Sequence, residues 1–155
     1  MLDIRTEEQR EAIAEKVNGW IDECGDKGFD AVEPDNYDTF TRYEDYLTGD
    51  QAKAMLKLLV DHAHERGLAT AQKNTADLAG DREETGVDFA VVEECGRYNE
   101  CAKFAGAFGD NMILIEYTDK GMATACDGWG DKVSVVQRDE EVTPKGEDGY
   151  VRKTC

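Results

Sequence analysis

A chain of 155 residues with 40% hydrophobic content is long enough for one sizeable core and contains no apolar run of membrane-spanning length. Its 35 acidic and 18 basic side chains leave a net charge of −17, which repels phosphate backbones and anionic bilayers, so neither nucleic acid nor membrane is expected as a partner. The 5 cysteines form no CxxC pair and no Cys/His zinc spacing, so no structural zinc is expected, and in an oxidising compartment the odd number leaves one thiol free or paired outside the chain.

The opening residues MLDIRTEEQREA lack a basic segment followed by an apolar core and a cleavage site, so no secretory signal is visible. Leu2 to Ile4 reads as the stub of a strand. Thr6 with Gln9 forms a capping box, and Ile13, Val17, Trp20, Ile21 and Cys24 then recur at helical spacing up to Gly25 and Gly28. Trp20 lies on the apolar face and is read as core. The apolar run Phe29 to Val32 is too short for a helix and is closed by Pro34, so it predicts a buried strand ending in Glu33, Pro34, Asp35 and Asn36. Thr48 with Gln51 caps a second amphipathic helix through Ala52, Met55, Leu56, Leu59 and Ala63, which Gly67 stops. His62 and His64 on that helix face apart, so they share no metal and are read as surface residues.

Leu68 to Gln72 is the next strand, followed by Lys73 and Asn74, and a loop or short helix spans Asp77 to Glu84. Asp88 to Val92 is a strand ending in Glu93 and Glu94, and a helix is predicted over Tyr98 to Phe108. Met112 to Ile115 ends in Glu116 and Tyr117, Val133 to Gln137 ends in Arg138 and Asp139, and residues 140–155 read as a C-terminal tail. About six strands alternating with helical or loop connections predict an α/β fold with a parallel sheet. Polar residues after almost every strand, with no glycine-rich phosphate loop in the first βα turn, favour a (β/α)8 TIM-type barrel over a doubly wound sheet. A single domain over residues 1–155 is expected.

The segments GFDAVEPDNYDTF at 28–40, LTGDQAKAMLKLLVDHAHERGLATAQKN at 47–74 and DFAVVEECGRYNEC at 88–101, with IEY at 115–117 and SVVQRD at 134–139, together resemble glycoside hydrolase family 114, the endo-α-1,4-polygalactosaminidases. The resemblance implies a secreted, cofactor-free enzyme that cuts galactosamine-containing polysaccharide. It also implies a complete eight-stranded barrel, so this chain is expected to be incomplete, with about six strands and the first two βα units missing. The exposed strand edges of such a barrel leave self-association open. Val92 and Glu94 depart from the Asn and Gln usual in the family. Two rival readings follow from these departures and from the missing start: a non-catalytic sugar-binding pseudoenzyme, or a truncated barrel fragment.

Glycosidic hydrolysis needs one carboxyl to protonate the leaving oxygen and another to act as nucleophile or to activate water. Most carboxylates in so acidic a chain are simply solvated, but strand-end placement and the VEPDN and VEEC motifs single out Asp35 as nucleophile and Glu93 as general acid/base of a retaining reaction. Glu33, Asn36, Lys73, Asn74, Glu116 and Tyr117 are the candidate substrate-binding residues, although Asn and Lys at strand ends equally serve as turn formers or caps. Tyr37, Tyr43 and Tyr46 form either a sugar-stacking wall or the packing of their own loop. Asp35, Asp38, Glu44 and Asp45 lack an EF-hand spacing, and no metal is expected. The resemblance to secreted proteins implies at least one disulfide, with Cys95 and Cys101 the nearest pair in sequence. Asp35, Asn74, Glu93 and Glu116 are all expected at one end of the barrel.

Overall fold

The computed structural model describes residues 2–155, and the chain divides into two compact units, one ending at Phe89 and one starting at Ala90. In the first unit, helix α1 (Glu7–Asp26) begins at the expected capping box: the Thr6 hydroxyl accepts the Gln9 amide, and the Gln9 side chain accepts the Thr6 amide. Helix α2 (Gly49–Glu65) repeats the device with Thr48 and Gln51. Each box satisfies two amides that the first helical turn would leave orphaned. The helices pack through Ala14 and Ile21 of α1 against Met55, Leu59 and Ala63 of α2, with Leu68 closing the cluster. On α2, cutting the fully buried Leu56 back to alanine should cost about 2 to 5 kcal/mol in denaturant unfolding.

Asp22 of α1 also binds α2, through His62 at 2.8 Å and Arg66 at 3.1 Å. The chain leaves α2 at Gly67, where φ is +76°, a conformation that suits glycine, and enters the next strand. Strand β1 (Ala31–Val32) pairs in parallel with β2 (Ala69–Lys73), in the register Ala31 to Ala69 and Val32 to Thr70. Two 3-10 turns, Tyr37–Thr41 and Ala76–Asp81, and the short helix α3 (Arg82–Thr85) complete this unit. Asp88 receives the Thr70 amide at 2.8 Å and His64 at 2.9 Å, so the second histidine is a tether to the next strand.

Two expectations are corrected here. Residues 2–4 form no strand, because the Asp3 carboxylate takes both the amide and the guanidinium of Arg5 and closes a local turn. Trp20 is 56% exposed, not core: α2 covers the flank of α1 that carries Ala14 and Ile21, and Trp20 instead lines a surface groove with Val17, Cys24, Phe29 and Val32.

In the second unit, β3 (Phe89–Glu93), β4 (Met112–Glu116) and β5 (Ser134–Arg138) run parallel, with Glu93 opposite Ile115 and Glu116 opposite Gln137. The strands sit within one residue of where the sequence puts them. The single helix expected over 98–108 is two, α4 (Cys95–Tyr98) and α5 (Cys101–Phe108), because Asn99 turns left-handed at φ 57° and a disulfide joins Cys95 to Cys101 across the break. Helix α6 (Asp119–Trp129) was hidden by Gly121, Thr124 and Gly128, whose helix propensity is weak, yet Thr118 caps it by accepting the Gly121 amide at 3.1 Å. Phe104, Phe108, Met112, Leu114, Met122 and Val135 are buried in this unit.

The expected tail at 140–155 is partly ordered sheet. Strand β6 (Arg152–Thr154) pairs antiparallel with β5, and Cys155 is bonded to Cys126 of α6. Asp139 organises the intervening loop by accepting from the Thr143 amide and hydroxyl and the Val151 amide, bonds that hold its carboxyl down at about 2. Among the described residues no helix is long and apolar enough to cross a membrane.

Cys24 is the free cysteine. Thiol titration of denatured, unreduced protein should therefore find one thiol per chain, and five would contradict the two disulfides. Removing the Cys126–Cys155 bond, which joins residues 29 apart, should destabilise the fold by about 3 to 4 kcal/mol in denaturant unfolding.

Candidate active site

In the first unit, parallel pairing puts the ends of β1 and β2 side by side, so Glu33 and Asp35 lie beyond one strand and Lys73 and Asn74 at the end of the other. The Lys73 ammonium, 8% exposed as a residue, donates to Asp35 Oδ2 at 3.2 Å and sits 3.8 Å from Glu33 Oε1. One buried cation thus serves two carboxylates. Asp35 Oδ1 accepts the Asn36 amide at 2.7 Å, so both carboxylate oxygens are held while half of the side chain stays open to solvent.

The turn after β2 is locked from beneath. The buried Gln72 amide donates to the carbonyls of Asn74 and Thr75, at 2.9 and 3.0 Å, and the Thr75 hydroxyl donates to the Lys73 carbonyl. Tyr37 follows Asn36 into the fold, and burial pushes its phenol well above the ordinary range. Tyr43 and Tyr46 remain exposed in a surface depression of about 310 Å³ formed by residues 41–46, so the three tyrosines do not make one wall. Asp38, weighed as a cation ligand, is paired instead with Arg42 at 2.7 Å.

In the second unit, Glu93 ends β3 and accepts a hydrogen bond from the Tyr117 hydroxyl. Arg138 at the end of β5 stands 3.9 Å from Glu93 and lies over the Tyr117 ring at 5.7 Å, so a carboxylate, a phenol and a guanidinium converge. Burial and the bond to Glu93 both push the Tyr117 phenol up. Arg138 is the residue that sequence reasoning underused: its position at a strand end was visible, its reach to Glu93 was not. Glu94 turns left-handed and pairs with Arg97.

Glu116, a candidate substrate-binding residue by sequence, is placed differently from the others. It is fully buried, turned toward α4 and α6, and accepts the Gly96 amide at 2.6 Å. Within each unit the expected residues do share an end of the parallel strands: Asp35 with Asn74 in the first, Glu93 with Glu116 in the second. Among the described residues no group of three or more His, Cys, Asp or Glu is arranged to hold a metal ion.

The chain can now be set beside known proteins. The sequence model of glycoside-hydrolase family GH114 matches residues 1–155. Among solved structures the fold is similar to the crystal structure of Aspergillus fumigatus Ega3 in complex with galactosamine, with 24% identity and a TM-score of 0.75. The match covers 99% of this chain and 63% of that one, so the chain spans less than two thirds of that neighbour's length. No curated protein matches. The fold is accordingly part of a TIM-type barrel.

Of the 6 tyrosines, Tyr37 and Tyr117 should titrate later than the usual phenol value of about 10 in an ultraviolet titration, and Tyr117→Phe should remove one of the late groups. A phenol raised in the folded state releases its proton more readily when unfolded, so stability should fall as pH rises above about 10. Six tyrosines titrating together would contradict both environments.

Proposed function

The chain belongs to glycoside-hydrolase family GH114, and on that premise we propose that it hydrolyses α-1,4-galactosaminidic bonds within galactosamine-containing polysaccharide, with Asp35 as nucleophile and Glu93 as general acid/base. The observation that carries this reading is the setting of the two carboxylates. Each stands at the C-terminal end of a parallel strand, where barrel enzymes keep their chemistry, and each is fixed by partners from a neighbouring strand or turn.

In the proposed reaction Glu93 gives its proton to the glycosidic oxygen while an Asp35 oxygen bonds the anomeric carbon and the sugar–oxygen bond breaks. Water then attacks the glycosyl-enzyme ester, gives a proton to Glu93, and releases Asp35 as a carboxylate. Lys73 and the Asn36 amide hold the Asp35 carboxylate in one orientation, and Tyr117 with Arg138 does the same for Glu93. We assign Glu33, Asn36, Lys73, Asn74 and Tyr117 to sugar contacts around these two groups.

The net charge of −17 suits a polymer whose free amines are cationic. Two disulfides and the family fit an extracellular protein. The rival reading, a sugar-binding protein without turnover, draws on the departures at Val92 and Glu94, which flank the proposed acid/base. The two separate in one assay series.

Reducing-end release from an α-1,4-galactosamine polymer should be measurable for the native chain. Asp35→Asn and Glu93→Gln keep the shape of each side chain and remove its ionisable group, and each should lower kcat by about a thousandfold or more at unchanged folding. Activity above about a tenth of native, a loss of only about 1.4 kcal/mol in barrier, would show that the residue is not an essential catalyst. Binding of the polymer by the native chain with no product would favour the sugar-binding reading. Raising ionic strength should lower kcat/KM, because screening weakens the attraction between anionic protein and cationic chain.

A further inference from the structure

Glu116 is among the largest fully buried side chains, and it is ionisable. Its Oε1 accepts the Gly96 amide at 2.6 Å, and its Oε2 has no hydrogen-bond partner. The space around it is shaped by two glycines. A Cβ on Gly96 would meet Glu116 Oε1 at 2.8 Å and the Gly121 carbonyl oxygen at 2.5 Å, and a Cβ on Gly121 would collide with Glu116 Oε2. Helices α4 and α6 therefore come together at these two glycines, over a carboxylate. A buried charge with an unsatisfied oxygen is expensive, and an apolar side chain of similar size would fill the space at lower cost. Burial accordingly pushes the carboxyl above its ordinary range.

What the carboxylate grips is the turn that carries Glu93. Gly96 is three residues beyond Glu93, and between them lie left-handed Glu94, whose amide donates to the Ile115 carbonyl at 2.7 Å, and disulfide-bonded Cys95. The next residue along the chain from Glu116, Tyr117, donates to Glu93 itself. Adjacent residues at the end of β4 thus hold both the Glu93 side chain and the backbone just after it. We propose that Glu116 is a positioning residue for Glu93: its buried carboxylate fixes the β3–α4 turn through the Gly96 amide, and the two glycines leave room for it. The proposal rests on the reading of Glu93 as acid/base, and its geometric half stands apart from that reading.

The test compares Glu116→Gln, Glu116→Ala and Gly121→Ala in the full chain, by kinetics on the galactosamine polymer, by hydrogen exchange at the Gly96 amide, and by the carbon-13 shift of the Glu93 carboxyl. A glutamine oxygen can still accept the amide, so Glu116→Gln should restore most of what alanine loses. Glu116→Ala should lower kcat about 10- to 100-fold with KM nearly fixed, speed Gly96 exchange about tenfold or more, and move the Glu93 carboxyl signal. Gly121→Ala, which displaces the carboxylate without removing it, should move all three readouts the same way, and it decides the matter if Glu116→Ala does not fold. A folded Glu116→Ala with native kcat, unchanged Gly96 exchange, or a rise in KM alone would overturn the proposal, the last by making Glu116 a substrate contact. An inactive native chain would sink the proposed hydrolase function, and the exchange and carbon-13 readouts would then decide the positioning by themselves.

Discussion

Parallel strand pairing is the constraint on which the rest of the structure depends. Parallel neighbours need a crossover between them, so the chain must return through a helix or long loop each time, and every strand of a parallel set then ends on the same side. In the first unit this brings Glu33 and Asp35 to Lys73, and in the second it brings Glu93 to Tyr117 and Arg138. No pair of these residues is closer in sequence than Glu33 and Asp35. The strands supply convergence that local sequence cannot.

Convergence has a backbone cost. Non-glycine residues with positive φ follow three of the parallel strands: Asn36 in the turn four residues after β1, Asn74 and Thr75 directly after β2, and Glu94 directly after β3. Asn tolerates this region, but Thr75 is β-branched and Glu94 is long, and such residues cost on the order of 1 to 3 kcal/mol each. They persist because their surroundings fix them. Gln72 holds the carbonyls of Asn74 and Thr75, the Ile115 carbonyl holds the Glu94 amide, and the Asp35 carboxylate holds the Asn36 amide. Strain concentrated at strand ends, next to the carboxylates, is the pattern expected where side chains must be aimed rather than merely accommodated.

Much of this was legible in the sequence, for identifiable reasons. Both capping boxes were readable because a cap is a local agreement between residues three apart, and all five parallel strands were readable as short apolar runs bounded by breakers. The residues following them, from Asp35 to Tyr117, were readable as site candidates for the same reason. What escaped depended on distance. Strand β6 is short and exposed, and its pairing with β5 and the bond from Cys155 to Cys126 are set by tertiary structure. The exposure of Trp20 reflects which flank of α1 its partner covers, and helical periodicity alone does not choose the flank. The burial of Glu116 was likewise beyond reach, since a strand-end glutamate looks the same whether it faces a substrate or two glycines, Gly96 and Gly121, that only the fold brings together.

The two carboxylates proposed for catalysis differ in exposure, and the difference bears on the proposed division of roles. Asp35 is about half exposed and has a buried ammonium at 3.2 Å, a countercharge suited to a group that works as an anion and must reach an anomeric carbon. Glu93 is the more enclosed, with side-chain exposure of 23%, and accepts from the Tyr117 hydroxyl, with the guanidinium of Arg138 at 3.9 Å. A group that must carry a proton in one step and none in the next is served by an enclosed setting, where burial disfavours the charged form. The Tyr117 phenol, pushed up by burial and by Glu93 itself, keeps its own proton and orients the carboxyl without acting as the acid. The settings therefore suit the proposed roles from opposite directions: a salt-bridged carboxylate half open to solvent, and an enclosed one held by a phenol.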